Sequence, residues 1–513
     1  MDIRNIPKEK LELAEGGVRL HDQKFETKPI GFFKDAWLRF KKNKGSIVAT
    51  IIIFIIILFA IFGPVFSSFE VSDSDSNYAL CRPDLGLDLS FWNGDREMKL
   101  NDNYLAYIYG IGVAAEDHDG SGNVSVAQGL ESKYNCLVKV NKTDTEDQGD
   151  RMVNYTYADI DSVMLVGFKY QQMTETDYNK IKAWEAESGL QVIYPMIDYD
   201  SDYCMDPDDA NCWFKTKRKS PVGKDGRTAT MEQVLENGLV ENYKRDSSGN
   251  VVDYVSKDKT MRLVRVLYYN YYIYQHDAEP VHIFGTDAQG YDIFIRLASG
   301  ARISLLLAFG VSIINLTIGA IYGAIEGYYG GLTDMIMERI SDILADVPFI
   351  IVATLFQLHF VATGKVSAFE GVLFAFVVTG WLGTAYRVRT QFYRFKNQEY
   401  VLAARTLGAG DIRIMWKHIF PNSLGTIITS SVLVIPSVIF SESMLAFLGI
   451  VNFQSKNMTS IGTMLSNGQG YLNTDPHVIF FPALVISLLM ISFNLFGNGL
   501  RDAFNPSLRG TED

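Results

Sequence analysis

The sequence is poor in the residues that build catalytic and metal centres. It has 4 cysteines and 7 histidines in 513 residues, and the patterns GxSxG, HExxH, CxxC and GxxxxGK[ST] do not occur. Their absence argues against a nucleophile-elbow hydrolase, a zincin, a dithiol redox centre and a phosphate-binding loop, so no covalent chemistry is expected of this chain. Gly323, Gly327, Gly330 and Gly331 follow a long apolar run rather than a strand, which removes a dinucleotide fingerprint as well. Charge is also sparse, at 21%, and it is unevenly placed. Residues 70–282 hold 37 acidic and 22 basic side chains, so the net charge of -12 comes from this block and the remainder is slightly basic. Such a division excludes a uniformly soluble enzyme, and the acidic block would repel nucleic-acid phosphate. Short alternating apolar strands are missing, which excludes an outer-membrane barrel.

What is present is a series of long apolar runs. Residues 46–66 carry no charge and are long enough to cross ~30 Å of hydrocarbon as a helix. Lys34, Arg39, Lys41, Lys42 and Lys44 precede this run, whereas Glu70, Asp73 and Asp75 follow it, so residues 1–45 are expected to be cytoplasmic. Five further runs predict spans at 303–325, 343–362, 369–386, 427–448 and 477–495, with both termini on the cytoplasmic side. The third is weakened by Asp346, His359 and a kink at Pro348, and the fifth by Pro436, Glu442 and Ser443. In the fourth, Gly371, Gly380 and Gly383 allow close helix approach. The basic residues of 387–425 fall on the inner side in this topology, as the charge rule requires. Glu442 and Ser443 form a candidate polar site in the pore, the other reading being a place near the outer face where water reaches them. Asp334, Glu338, Arg339 and Asp342 read as an internal loop with local ion pairs.

Residues 69–282 are far too long for an ordinary connection and are expected to form an α+β domain outside the membrane. The runs 103–113, 163–170 and 264–274 read as strands, and 177–188 and 231–243 as short amphipathic helices. All the cysteines lie here, in an outward-facing compartment, so two disulfides are expected. Of three pairings, Cys204–Cys212 closes a short loop and leaves Cys81–Cys136. The rival, a metal site, matches no zinc spacing. The acidic run 198–209 lacks the ordered calcium-loop pattern and reads as a solvated face.

Two motifs identify a family. Residues 399–422 read EYVLAARTLGAGDIRIMWKHIFPN, in which Ala403 and Ala404 leave a narrow helix face, Gly408 turns the chain and Asp411 can cap the next helix. With Glu399, Ile414, His418, Pro421 and Asn422, this loop resembles the EAA motif of importer-type ABC transporter permeases, in the form used by the oligopeptide and dipeptide branch. Residues 284–302, FGTDAQGYDIFIRLASGAR, are similar to the GTDxxGRDxxSRxxxGxR segment of the peptide and nickel permeases. The matching positions are Gly285, Thr286, Asp287, Gly290, Asp292, Arg296, Gly300 and Arg302, whereas Tyr291 and Ile295 depart from the pattern. Weaker resemblances cover 327–348 and, at Asn494, Gly497, Leu500, Arg501, Asp502 and Pro506, the C-terminal end.

The resemblance implies the six-helix type I ABC importer fold and half of a translocation pore in a bacterial cytoplasmic membrane. Residues 283–302 would then form an amphipathic segment near the outer mouth and 303–508 the permease domain, with 399–422 as the loop that couples to ATPases. It further implies a homologous second permease, two ATPases that hold the ATP and Mg, and an external substrate-binding protein, with no cofactor in this chain. Peptide is the expected cargo; nickel chelate, haem or another small solute are the alternatives. A receptor with a folded ectodomain leaves five spans unexplained, and an ion-driven carrier requires inverted repeats. The resemblance does not extend to the domain at 69–282.

Overall fold

The computed structural model describes residues 31–85, 91–147, 149, 152–257 and 260–504. Residues 1–30 of the expected cytoplasmic segment, and Pro506, lie outside them. Among the described residues five helices are long and apolar enough to cross a membrane: Lys44–Val65, Ile293–Tyr329, Ala368–Phe395, Asp411–Phe447 and His477–Phe504. A further helix pair, Gly331–Ala345 and Phe349–Val361, is long and apolar enough only when taken together and is bent by 71° at its break, the geometry of a broken span or a re-entrant loop. They are called here the first to sixth spans in chain order, the broken pair being the third. The chain is a polytopic α-helical membrane protein with an inserted non-membrane domain.

The second span has 37 residues, about 55 Å at helical rise, so it extends beyond the hydrocarbon layer. The bend of the third follows from Pro348, which caps the Phe349–Phe356 helix and cannot continue the preceding one. Asp334, Glu338, Arg339 and Asp342 therefore lie on a helix, not in a loop. The cluster also reaches beyond itself: the Arg389 guanidinium donates to Asp334 at 2.6 Å and to Glu338 at 2.9 Å, clamping the third span to the fourth.

The second and fourth spans meet along a stripe of glycines. A β-carbon at Gly323 would fall 2.1 Å from the Ala385 carbonyl oxygen, and one at Gly319 or Gly327 would strike Trp381, Thr384 or Arg389. Small residues four apart let two backbones touch, where dispersion and not hydrophobicity joins helices in lipid. The glycines noted in the fourth span differ among themselves. Gly371 and Gly380 abut Val361 and Asn315, whereas Gly383 meets only the end of Arg387.

In the inserted domain, strands Asp95–Asn101, Met152–Asp161 and Leu137–Asp147 form an antiparallel sheet with Met152–Asp161 in the centre. In a second sheet Met261–Leu267 is paired with Phe168–Thr174, Ile193–Tyr194 and Tyr254–Ser256. The run 103–113, expected as a strand, lies within the helix Asp102–Glu116. Asn101 caps this helix by accepting the Tyr104 N–H, and every position from Leu105 to Ala115 except Tyr107 is buried. A helix buried all round has no apolar stripe, so its aromatic and β-branched residues imitate a strand. The run 264–274 is divided: it ends one strand and then forms the helix Tyr268–His276.

The expected disulfides are not formed, and all four cysteines are free. Cys81 and Cys136 belong to separate apolar clusters. Their thiols donate to the carbonyls of Ser162 and Ile108, while Cys212 donates to Asp209. Burial pushes both Cys81 and Cys136 up to about 12, so these thiols keep their protons at pH 8. Iodoacetamide at that pH is expected to label the half-exposed Cys204 in the folded chain, and all four thiols after unfolding without reductant. Unfolded chains that label only after reduction would contradict this arrangement.

Candidate functional site

At the outer face, residues 283–302 form a clasp. The Thr286 hydroxyl donates to the Tyr78 carbonyl and accepts the Cys81 N–H at 2.8 Å. Asp292 caps the second span by accepting the Ile295 N–H at 3.0 Å, and its other oxygen meets His282 Nδ1 at 2.9 Å. Asp287 Oδ1 accepts the backbone N–H groups of Gln289 and Tyr291, closing the turn, while burial raises its carboxyl above the usual range. Gly285 and Gly290 have φ of +74° and +76°, and their missing side chains let Cys81 and Asp75 approach. Arg296 donates to the Ser455 carbonyl at 3.0 Å, and Arg302 Nε has no hydrogen-bond partner among the described residues.

The two departures from the family pattern have local explanations. Arg296 lies over the Tyr291 ring at 4.1 Å, a cation–π contact that an arginine at 291 would replace with repulsion. Ile295 is buried, where a serine would need a further partner. The clasp thus ties the exit of the first span to the entry of the second. Nearby, Arg82 donates to the Thr474 carbonyl at 2.7 Å, and Arg82 and Arg96 flank the buried Asp475 at 3.5 and 3.6 Å. These contacts seat the inserted domain beside the start of the sixth span.

At the opposite end of the spans, residues 399–422 form a helical elbow. Helix Glu399–Thr406 is followed by Gly408 at φ +83° and then by the short helix Asp411–Arg413. A π-helical stretch, Ile414–Ile419, leads to Pro421 in the first turn of the helix Phe420–Val432. Glu399 and Ala403 are exposed and Ala404 and His418 half-buried, so the narrow alanine face is open rather than packed. Asp411 does not cap the helix that it begins. Its carboxylate instead accepts the Tyr328 hydroxyl at 2.6 Å, and Arg405 donates to that hydroxyl at 3.3 Å. The elbow is thereby fastened to the end of the second span.

Sequence reasoning overlooked two residues here. Leu407 is 88% and Ile412 72% exposed, on either side of the glycine turn, although both are large and apolar. Their signal was an apolar residue on each side of a glycine, in a loop otherwise rich in charge. Glu442, by contrast, is buried within the bundle, where it accepts the hydroxyls of Ser460 at 2.6 Å and Ser304 at 3.1 Å. Ser443 Oγ is buried without a hydrogen-bond partner among the described residues and borders an apolar cavity that includes Met444 and Phe447. The Glu442 carboxylate is therefore held by hydroxyls and not by water in this chain.

The chain is thus a multispan bundle with an elbow at one end and a clasped extramembrane domain at the other. Residues 315–510 match the family model for a binding-protein-dependent transport system inner membrane component. Residues 31–83 match that for the N-terminal TM domain of oligopeptide transport permease C. The chain is 43% identical over 228 residues to the oligopeptide transport system permease protein OppC of Bacillus subtilis, covering 44% of this chain and 72% of that one. It is also 43% identical over 229 residues to the dipeptide transport system permease protein DppC of the same organism, covering 44% and 69%. A structure of the MetNI methionine ABC transporter aligns with 41% of this chain and 96% of its own, at 16% identity and a TM-score of 0.35. The chain belongs to the OppC/DppC-type family of ABC transporter permeases. It is a non-catalytic membrane component whose large insertion is extracytoplasmic, and the two family matches flank residues 84–314.

Proposed function

We propose that this chain forms half of the translocation pore of an ATP-driven peptide importer in a bacterial cytoplasmic membrane, with both termini in the cytoplasm. The observation that carries this reading is the elbow, an exposed apolar tip on a base fastened to the second span. In this reading Glu399, Ala403, Ala404, Gly408, Asp411, His418 and Pro421 form the coupling segment, and its groove lies on one of two ATPases that hold ATP and Mg. Closure of the ATPase pair displaces the tip. The Asp411–Tyr328–Arg405 contacts pass that displacement to the second span, and Arg389 of the fourth span, which pairs with Glu326 of the second and Asp334 of the third, passes it on. A homologous second permease completes the pore, and an external binding protein delivers the cargo. Peptide cargo is supported by the OppC and DppC relatives.

The inserted domain, at about residues 69–282, is the docking platform for that binding protein in this scheme. Its support is its attachment beside the outer ends of the second and sixth spans. Uptake of a labelled tripeptide by vesicles containing the complex with its co-expressed partners tests the whole reading. Uptake must require ATP and the ATPases; gradient-driven uptake by this chain alone, or transport of a nickel chelate or haem but no peptide, defeats it. Gly408 gives a finer test. A β-carbon there meets nothing within 4 Å, so only its positive φ restricts substitution. Gly408→Val is expected to uncouple ATP hydrolysis from uptake, while Gly408→Asn, which tolerates φ > 0, retains most uptake. Equal loss in both variants would contradict a conformational role.

A further inference from the structure

A polar recess of about 480 Å³ opens between the second, fourth, fifth and sixth spans, and Arg387, Arg501, Asn315, Ser430, Ser437 and Ser441 contribute to its wall. Arg501 lies in the last turn of the sixth span, so the recess is in the half of the bundle away from the inserted domain. Its two guanidinium groups have no hydrogen-bond or ion-pair partner among the described residues. The contrast with Arg389 is direct, since that side chain, two residues along the same helix, is occupied by Asp334 and Glu338. Asn315 is 2% exposed, and its side-chain oxygen accepts no hydrogen bond from the described residues. Gly380 makes the room for it, because a β-carbon there would fall 2.3 Å from the Asn315 amide nitrogen.

Arg387 and Arg501 are exposed to solvent, whereas the orphan Asn315 acceptor is buried and costly unless something completes it. A partner that completes all three presents a carboxylate to the arginines and an N–H to Asn315. We infer that this recess is a release-side subsite that holds the C-terminal carboxylate and last amide N–H of a short peptide. This inference rests on the peptide-import reading and deepens it. The apolar floor of Phe376 and Val438 accepts a side chain without selecting it, and the serines along the fifth span offer replaceable contacts. Such a site recognises what short peptides share and leaves sequence preference to the external binding protein.

The test compares uptake of trialanine and trialanine amide by the complex with its co-expressed partners, in phosphatidylcholine vesicles. Wild type is expected to favour the free acid, and Arg387→Gln or Arg501→Gln to lower acid uptake about tenfold with amide uptake unchanged. The amide is the internal control for folding, and Arg387→Lys is expected to restore part of the difference. The preference of the binding protein is common to every variant, so a changed ratio belongs to the permease. Equal loss of both peptides, no change in the ratio, or an effect that appears only with phosphatidylglycerol present would overturn the subsite; the last outcome would assign the recess to a lipid headgroup. Wild-type uptake without discrimination overturns this inference alone, whereas no wild-type uptake of either peptide overturns the peptide reading with it.

Discussion

Leu407→Asp, alone or combined with Ile412→Asp, is expected to abolish ATP-dependent uptake while the chain remains folded in the membrane. At 88% and 72% exposure these side chains contribute almost nothing to the stability of the chain itself, and surface substitutions of this kind cost within about 0.5 kcal/mol. Their value lies in association. An apolar side chain seated in a partner's groove is commonly worth about 2 kcal/mol or more, roughly 30-fold in affinity, and a carboxylate there adds an unpaired buried charge. Co-purification of ATPase subunits with the variant measures the first effect, and the thermal midpoint of the purified chain the second. Retained ATPases with normal uptake would show that the elbow couples through another surface. A lowered midpoint would instead show that the tip packs within this chain.

The second large effect is expected at the clasp, from Gly290→Ala. The new β-carbon would lie 1.9 Å from the Asp75 carbonyl oxygen, at φ +76°. The obstacle is backbone, not a side chain that can rotate away, and Asp75 is further held by its N–H bond to the Gly290 carbonyl at 3.1 Å. Backbone strain and overpacking each cost about 1–3 kcal/mol, so destabilisation on the order of 3 kcal/mol is expected. Gly408→Ala, also at positive φ but with no atom within 4 Å, provides the comparison at about 1 kcal/mol. Thermal unfolding in detergent would order the two variants, Gly290→Ala falling much further. If they fell equally, the close approach of Asp75 would have no energetic weight. Protease accessibility of the inserted domain would then show whether the clasp, rather than the bundle, yields first.

These two sites illustrate how differently the sequence exposes its constraints. The glycines of 285–302 and the elbow glycine were legible as motif positions. Only the surroundings distinguish them: one is fixed by a neighbouring carbonyl, the other by its dihedral angle alone. Glu442 shows the reverse. A carboxylate in an apolar run has an evident need for partners, yet Ser304 and Ser460 are distant in sequence and do not show which helices converge. Asp411 followed the local rule for a helix start, but Tyr328 competed successfully for its carboxylate.

The membrane class and the presence of an inserted domain were determined by composition, because a helix that crosses hydrocarbon needs a long, largely apolar run and a water-exposed domain carries the charge. The family was determined by two short ordered motifs, which survive without knowledge of any contact. Pairing was decided by tertiary structure. The buried helix Asp102–Glu116 has no stripe to reveal it, and the four cysteines occupy thiol environments in which none is bonded to another. Arg387 and Arg389 look alike along the chain, and only folding supplies carboxylates to one and leaves the other open. Periodicity and composition are local averages along a chain. Hydrogen bonds and ion pairs depend on individual atoms within a few ångströms, brought there by helices that may be hundreds of residues apart.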